Sequence, residues 1–333
     1  MMAGSNALTE FELISRYFSS IGYNSSNTAR SAIDLGIGDD CAILSIPPGQ
    51  RLALSIDTMV AGRHFPEDAA PYDIGQRLLA VSISDLAAMG AKPLAFTLAL
   101  TVPQVDPQWL EQFSRGLSDA AAVYAIPLIG GDTTQGPLTL SVQVHGSVPI
   151  NTALLRSGAQ IGDAIFVSGC LGDNAAALAM IQGRLEVNEQ QRQFLQSRFY
   201  QPRARVELGQ QLLAIATSAV DISDGLLADL GHICKASAVA ARIEQSKLPI
   251  SIVVTEVACD DALGYALTGG DDYELCFTAA KNKREAIAAC SQLLNIPITE
   301  IGEITAGSGV SCVDGQGTIV VPEKAGYVHF QSS

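Results

Sequence analysis

The strongest constraint on the fold is an alternation between residues 94 and 102. Leu94, Phe96, Leu98, Leu100 and Val102 are separated by Ala and Thr, the period of a strand with one buried face. Asp106-Pro107 follows at once, an N-cap and a proline at the first helical position. Behind it Trp109, Phe113, Leu117 and Ala121 recur at helical spacing. A second alternation, Leu138, Leu140, Val142 and Val144, predicts another strand. Upstream, Leu52–Ile56 reads as a short strand ending at Asp57. Ile74, Leu78, Val81 and Leu86 predict a helix over 73–90 that Gly90 closes. The first half therefore reads β-α-β-α-β.

The ends of that half are less regular. Thr9-x-x-Glu12 is a capping box, with Leu8 as staple residue. It starts a short helix through Phe18 with Phe11, Ile14 and Phe18 on one face. Residues 19–35 read as loop. Pro149 precedes a polar turn, which sets two domains at 1–148 and 149–333. The second half predicts a strand at Ala164–Ser168 and helices near 174–182, 203–218 and 224–237. Further strands are predicted at 250–255, 272–278 and 318–321. Strands alternating with helices give an α/β (α+β) class.

Composition removes several functions. The chain has 34 acidic against 20 basic side chains among 333 residues, a net charge of −14. That lacks the basic footprint of nucleic-acid binding and is repelled by anionic membranes. Apolar residues make up 48%, enough for a packed core and too many for a disordered chain. The uncharged stretch Thr133–Leu155 is broken by Gly136, Pro137, Gly146 and Pro149, so it is no membrane span. Glu10 and Glu12 precede the first basic residue, Arg16, unlike a signal peptide. The seven cysteines form no C-x-x-C pair, and the four histidines have no metal-ligand spacing. The expectation is a cytoplasmic protein with reduced thiols and no zinc site.

The acids are concentrated in glycine-flanked or strand-end settings. These are Gly36-Ile37-Gly38-Asp39-Asp40, Ser55-Ile56-Asp57-Thr58, Ser84-Asp85, Gly130-Gly131-Asp132-Thr133-Thr134, Asp221-Ile222-Ser223-Asp224-Gly225 and Gly269-Gly270-Asp271-Asp272. One such turn is ordinarily just a turn. Six of them predict several carboxylates directed at hard cations, with Mg²⁺ as the ion. No P-loop, no kinase His-Arg-Asp or Asp-Phe-Gly set and no G-x-S-x-G elbow is present. Gly36-x-Gly38 reaches Cys41 where a dinucleotide fingerprint needs a third glycine. A nucleotide would be held mainly through metal ions.

Taken in order, these segments resemble the thiamine-monophosphate kinase family of the aminoimidazole ribonucleotide synthetase-like superfamily. The resemblance also includes His64-Phe65 after Asp57-Thr58, Ser84-Asp85-Leu86-Ala87-Ala88-Met89-Gly90-Ala91, and Gly270-Asp271-Asp272-Tyr273-Glu274-Leu275. It extends from about residue 10 to Phe330. It implies a two-domain fold whose N-terminal domain binds ATP and Mg²⁺ and dimerises through a sheet or barrel, with a C-terminal α+β domain. It implies ATP-dependent phosphorylation of thiamine monophosphate to thiamine diphosphate, the last step of thiamine diphosphate biosynthesis, by a homodimer.

The resemblance also implies roles. Asp40, Asp57, Asp85, Asp132 and Asp221 match magnesium ligands, with Ser55 and Ile56 at further metal positions and Asp224 at an additional ion. Asp57, Asp85 and Asp132 form the catalytic set. Gly131, Asp132, Arg156 and Ser223 match ATP-binding positions; His64, Asp271 and Tyr327 match substrate-binding ones. Ile56 stands where the family often has Thr: a metal position that uses the backbone carbonyl is kept, and one that uses the side chain loses its ligand. Asp271 stands where Glu is common, one methylene shorter.

The chemistry agrees with that set. Both reactants are phosphates, and the acceptor oxygen is ionised at neutral pH, so no strong general base is needed. The barrier includes bringing two anions together, roughly 4 kcal/mol per pair of unit charges at 4 Å and an effective dielectric of 20. Cations held by carboxylates offset that repulsion, so direct in-line transfer without a phospho-enzyme is expected. Each residue also has a plainer reading. Asp39 caps the turn that presents Asp40. His64 is a solvated loop residue or a ligand. Arg156 makes a surface ion pair or meets phosphate. Tyr327 packs or stacks on a thiamine ring. Cys41 is a small buried filler. A selenophosphate synthetase would want a cysteine before Cys41, and none is there. A non-catalytic metal-buffering protein is the alternative from another class.

Overall fold

The computed structural model describes residues 9–22 and 32–320. Leu8, Tyr327 and residues 23–31 lie outside them. The chain divides into two compact units, Met1–Leu86 with Lys92–Ile150, and Ala87–Ala91 with Asn151–Ser333.

In the first unit α1 (Glu10–Tyr17) starts at the capping box, Thr9 and Glu12 each bonding the other's backbone N–H. Two short strands, β1 (Ile33–Leu35) and β2 (Ile43–Leu44), pair antiparallel around the Gly36–Cys41 turn. The expected loop over 19–35 therefore ends in a strand. Next come β3 (Gln50–Val60), α2 (Pro71–Ala88), β4 (Lys92–Val102), α3 (Pro107–Val123), β5 (Leu128–Gln135) and β6 (Thr139–Pro149). Asp106 caps α3 by accepting from the N–H groups of Gln108 and Trp109 at 2.9 and 3.3 Å. The strands form one sheet in the order β3-β6-β4-β5, with only β4 and β5 parallel.

One sheet face is closed over the core by Phe96, Leu98, Leu100, Leu140, Val142 and Val144, each at most 4% exposed. β3 and β5 are the two edges of this sheet, and no pairing joins them among the described residues. The single chain therefore does not close the expected barrel. Four strands are too few to curl round and bond their own edges.

The second unit contains β7 (Ala164–Ser168), α4 (Asp173–Ile181), α5 (Glu189–Tyr200), α6 (Val206–Leu212), β8 (Ser218–Asp221), α7 (Leu226–Ser237) and β9 (Ala240–Glu244). It continues through α8 (Ile252–Ala258), α9 (Ala262–Thr268), β10 (Leu275–Ala279), α10 (Arg284–Leu294), β11 (Ile298–Thr305), β12 (Gly309–Val313) and β13 (Ile319–Val320). Its sheet runs β13-β12-β9-β11-β7-β10-β8, with β9 and β12 parallel and the other pairs antiparallel.

Three expectations fail here. The helix expected near 203–218 stops at Leu212, and Ser218 opens strand β8. The β-branched run at 250–255 forms helix α8, because Ser251 caps it by accepting from Val254 N–H at 3.2 Å and Val254 buries against α4 and α5. The strand expected at 272–278 begins only at Leu275, because Asp271 and Tyr273 take left-handed backbone angles (φ 70° and 51°). Among the described residues no helix is long and apolar enough to cross a membrane.

Candidate active site

Period-two alternation on β3 sends Ser55 and Asp57 to the helix-covered face of the first unit's sheet, and Ile56 to the other. Asp85, in the last turn of α2, meets them there: Ser55 Oγ donates to Asp85 Oδ2. Burial, and then the neighbouring Asp85 charge, push the Asp57 carboxyl up to about 6, against a Ser82 hydroxyl that draws it down. No Lys or Arg ion-pairs with either acid among the described residues. The donors are all oxygens, two carboxylates and a hydroxyl, the set a hard divalent cation takes. A cation there would relieve the repulsion between the two acids, so these residues fit Mg²⁺.

Asp132 is elsewhere. It pairs with Ala99, which pairs with Ser141, which faces Thr58; this register puts it on the Ile56 face, opposite Asp57. Asp132 and Gly131 line a cleft of about 660 Å³ together with Asp39 and Asp40. Gly131 is required by space, since a Cβ there would lie 1.9 Å from the Leu98 carbonyl oxygen. Asp39 Oδ1 accepts from Asp40 N–H at 2.9 Å, so Asp39 shapes the turn and Asp40 is exposed at the cleft. Cys41 also lines it and is exposed, not the buried filler expected, because β1 and β2 are too short to cover their turn. His145, outside every acidic segment, also lines the cleft; its Nε2 is buried without a hydrogen-bond partner. Alternation along β6 puts it on this face, a signal the sequence held.

Ile56 is 63% exposed on the edge strand. His64 is half-buried in the turn after β3, where its Nδ1 accepts from Val60 N–H at 3.0 Å. The ring proton of the neutral form is thereby held at Nε2.

In the second unit Asp221 ends β8 and is buried, whereas Ser223 is exposed and Asp224 half-buried. This turn is bonded to the segment before β10: Ile222 N–H to Glu274 O, Tyr273 N–H to Ile222 O, and Asp271 N–H to Ser223 O, each 2.8 Å. Tyr273 Oη donates to Asp271 Oδ1 at 2.8 Å. Arg156 is exposed, with its carbonyl accepting from Ser237 Oγ at 3.2 Å. Among the described residues no three His, Cys, Asp or Glu side chains converge at metal-binding distance. The expected carboxylates thus fall into separate groups within the two units: Asp57 with Asp85, Asp40 with Asp132, and Asp221 with Asp224.

Sequence reasoning missed the buried ionic framework beneath the Asp271 segment. Glu274, 1% exposed, accepts from Arg205 at 2.6 and 2.5 Å, from Arg198 at 3.4 Å and from Ser168 Oγ at 2.5 Å. Arg198 also bonds Asp173 at 2.9 Å. Asp272 accepts from Gly172 N–H at 2.7 Å at the start of α4. Burial raises its carboxyl to about 8. Asp272 and Glu274 stand in the Gly270–Leu275 segment, but no spacing ties them to Asp173, Arg198 or Arg205; only the fold brings α4, α5 and β10 together.

Residues 38–148 match the family model of AIR synthase related protein, N-terminal domain, and residues 160–315 that of the C-terminal domain. The Escherichia coli (strain K12) thiamine-monophosphate kinase is 48% identical over 326 residues, covering 97% of this chain and 99% of that protein. A crystal structure of thiamine-monophosphate kinase from Stenotrophomonas maltophilia K279a is 48% identical, with a TM-score of 0.82 over 85% of this chain and 92% of the other. A structure of AaThiL complexed with AMPPCP and TMP is 30% identical, with a TM-score of 0.76 over 86% and 89%. The ordered acidic turns, the two α/β units and this full-length similarity lead to one assignment: the chain belongs to the thiamine-monophosphate kinase family.

Proposed function

We propose that this chain transfers the γ-phosphoryl group of ATP to thiamine monophosphate, giving thiamine diphosphate, the last step of that cofactor's synthesis. The observation that carries the reading is the all-oxygen group of Ser55, Asp57 and Asp85, two adjacent acids without a basic partner among the described residues. Such a group costs stability unless it serves a cation. Bound Mg²⁺ would neutralise phosphate charge and align the transferring group. Asp57 and Asp85 would hold it with Ser55 beside them. Asp40, Asp132, Asp221 and Asp224 are the further metal positions of this reading, and Ile56 contributes its carbonyl.

Gly131 lets the backbone approach nucleotide phosphates closely. Ser223 donates its hydroxyl to them and Arg156 its guanidinium. His64 and Asp271 orient the acceptor, with Tyr327 as a further substrate contact. The acceptor phosphate is already ionised, so these residues position and neutralise rather than remove a proton.

The exposed row Leu52, Leu54 and Ile56 (44, 53 and 63%) on an edge strand supports a homodimer that covers it. All seven cysteines are free thiols, in keeping with a cytoplasmic enzyme. The test is incubation with MgATP and thiamine monophosphate, scored for thiamine diphosphate by chromatography. Product requiring Mg²⁺ supports the reading, and a folded protein that makes none refutes it. A covalent phosphoprotein trapped in turnover would exclude direct transfer.

A further inference from the structure

The turn between β8 and α7 has the form of an anion site. Ser223, Asp224 and Gly225 present three successive backbone N–H groups at the start of a helix, an arrangement that binds phosphate in many proteins. Here the position is taken by the protein itself. Asp229, one turn inside α7, is 2% exposed and folds back over the turn. Its Oδ2 accepts from Ser223 N–H at 2.9 Å, Asp224 N–H at 3.0 Å and Gly225 N–H at 3.1 Å. Gly225 makes this close winding possible: its φ is 115°, and a Cβ there would lie 2.8 Å from the Thr268 carbonyl carbon. No spacing in the sequence marks Asp229; its role exists only because the turn wraps round it.

We infer that Asp229 is a positioning residue whose buried carboxylate fills the backbone cradle of this turn, so that the turn meets nucleotide phosphate only through its outward side chains and the cations they hold. The inference rests on the reading of Ser223 as a nucleotide contact and of Asp221 and Asp224 as metal ligands. A P-loop offers phosphate its N–H groups directly. This turn has spent those groups on an internal anion, and what remains facing outward is the Ser223 hydroxyl and, half-buried, the Asp224 carboxylate, with Asp221 buried at the end of β8. Occupation of the cradle also fixes the backbone from Asp221 to Gly225, and with it the directions in which those side chains leave.

The test uses the full chain. Amide hydrogen exchange on the wild-type protein, without metal or nucleotide, should show the N–H groups of 223–225 protected at least a hundredfold over an unstructured peptide. Exchange at unprotected rates would overturn the inference even if no variant folds. Binding of a non-hydrolysable ATP analogue with Mg²⁺ is then measured by calorimetry. Asp229→Leu, close in shape but unable to accept, should weaken it at least tenfold and speed exchange at 223–225 at least tenfold. Asp229→Asn keeps an acceptor oxygen in place and should bind within about threefold of wild type. A merely space-filling role would not separate Leu from Asn in this way.

Leu and Asn variants that both bind like wild type, or that are equally impaired, overturn the inference. Ser223→Ala and Asp224→Asn are measured alongside. If both leave affinity unchanged, the nucleotide reading of the turn fails and the inference with it. If they weaken binding while Asp229→Leu does not, the inference alone fails.

Discussion

Replacing Asp57 by Asn should move stability and activity in opposite directions. The Asp57 carboxyl is raised from 3.8 to about 6 by burial and by Asp85, so its charged form is disfavoured in the folded protein. A rise of that size corresponds to about 3 kcal/mol at neutral pH, and to about 2 kcal/mol once screening at a half-buried site is allowed for. The sign follows from linkage. A carboxyl whose folded pKa lies above its unfolded value lowers stability as pH rises. The penalty is absent below pH 3.8, grows between 3.8 and about 6, and is complete above that. In EDTA at pH 7.5, Asp57→Asn should therefore be more stable than wild type by about 2 kcal/mol, or roughly 4–8 °C in Tm.

Near pH 4 the two proteins should melt together. Adding Mg²⁺ should raise the wild-type Tm more than the variant's, because at Asp57 and Asp85 the ion relieves a repulsion the variant lacks. The turnover assay with MgATP and thiamine monophosphate should show the variant slower by about two or more orders of magnitude, the scale of losing a charge partner to the transferring phosphate. Thermal melts across pH with and without Mg²⁺, paired with that assay, give the full set. Equal Tm in EDTA at pH 7.5, or undiminished turnover, would refute the reasoning.

Three further outcomes are expected. Glu274→Ala leaves Arg198 and Arg205 without their shared buried carboxylate and should cost about 3–5 kcal/mol, read by urea unfolding; a loss under 1 kcal/mol would show the network is not structural. Tyr273→Phe removes the hydroxyl that holds Asp271 and should raise KM for thiamine monophosphate about three- to tenfold with KM for ATP little changed, by steady-state kinetics. Gly131→Ala sets a Cβ 1.9 Å from the Leu98 carbonyl oxygen and should lower Tm by several degrees and impair ATP binding; wild-type behaviour would disprove the close approach.

The first unit was the more legible half. Alternation at Leu94–Val102 and Leu138–Val144 announces β4 and β6, and Asp106-Pro107 marks the start of α3, because these signals depend only on local periodicity and capping. β5 was hidden because Gly130, Gly131 and Asp132 look like a turn. Pairing with β4 makes them a strand. In the second unit, Ile252, Val253 and Val254 have strand propensity, yet the Ser251 cap and burial against α4 and α5 make a helix. The buried set of Asp173, Arg198, Arg205, Asp272 and Glu274 draws on residues up to about a hundred positions apart, where no short pattern exists.

By itself the sequence determined the residue types of the candidate site and their order along the chain. Carboxylates in glycine turns and at strand ends point to a site for hard cations, and the ordered set of those segments carries the resemblance to the thiamine-monophosphate kinase family. Tertiary structure decided how those carboxylates are grouped. The period of two on β3 and the register of β5 set Asp57 and Asp132 on opposite sheet faces, and α2 brings Asp85 to the first of them. Only the folded turn shows Asp229 holding Ser223 and Asp224 from beneath. Which acids face outward to a ligand and which are consumed inside the protein depends on where the backbone N–H groups point, and the backbone has no fixed direction until the chain has folded.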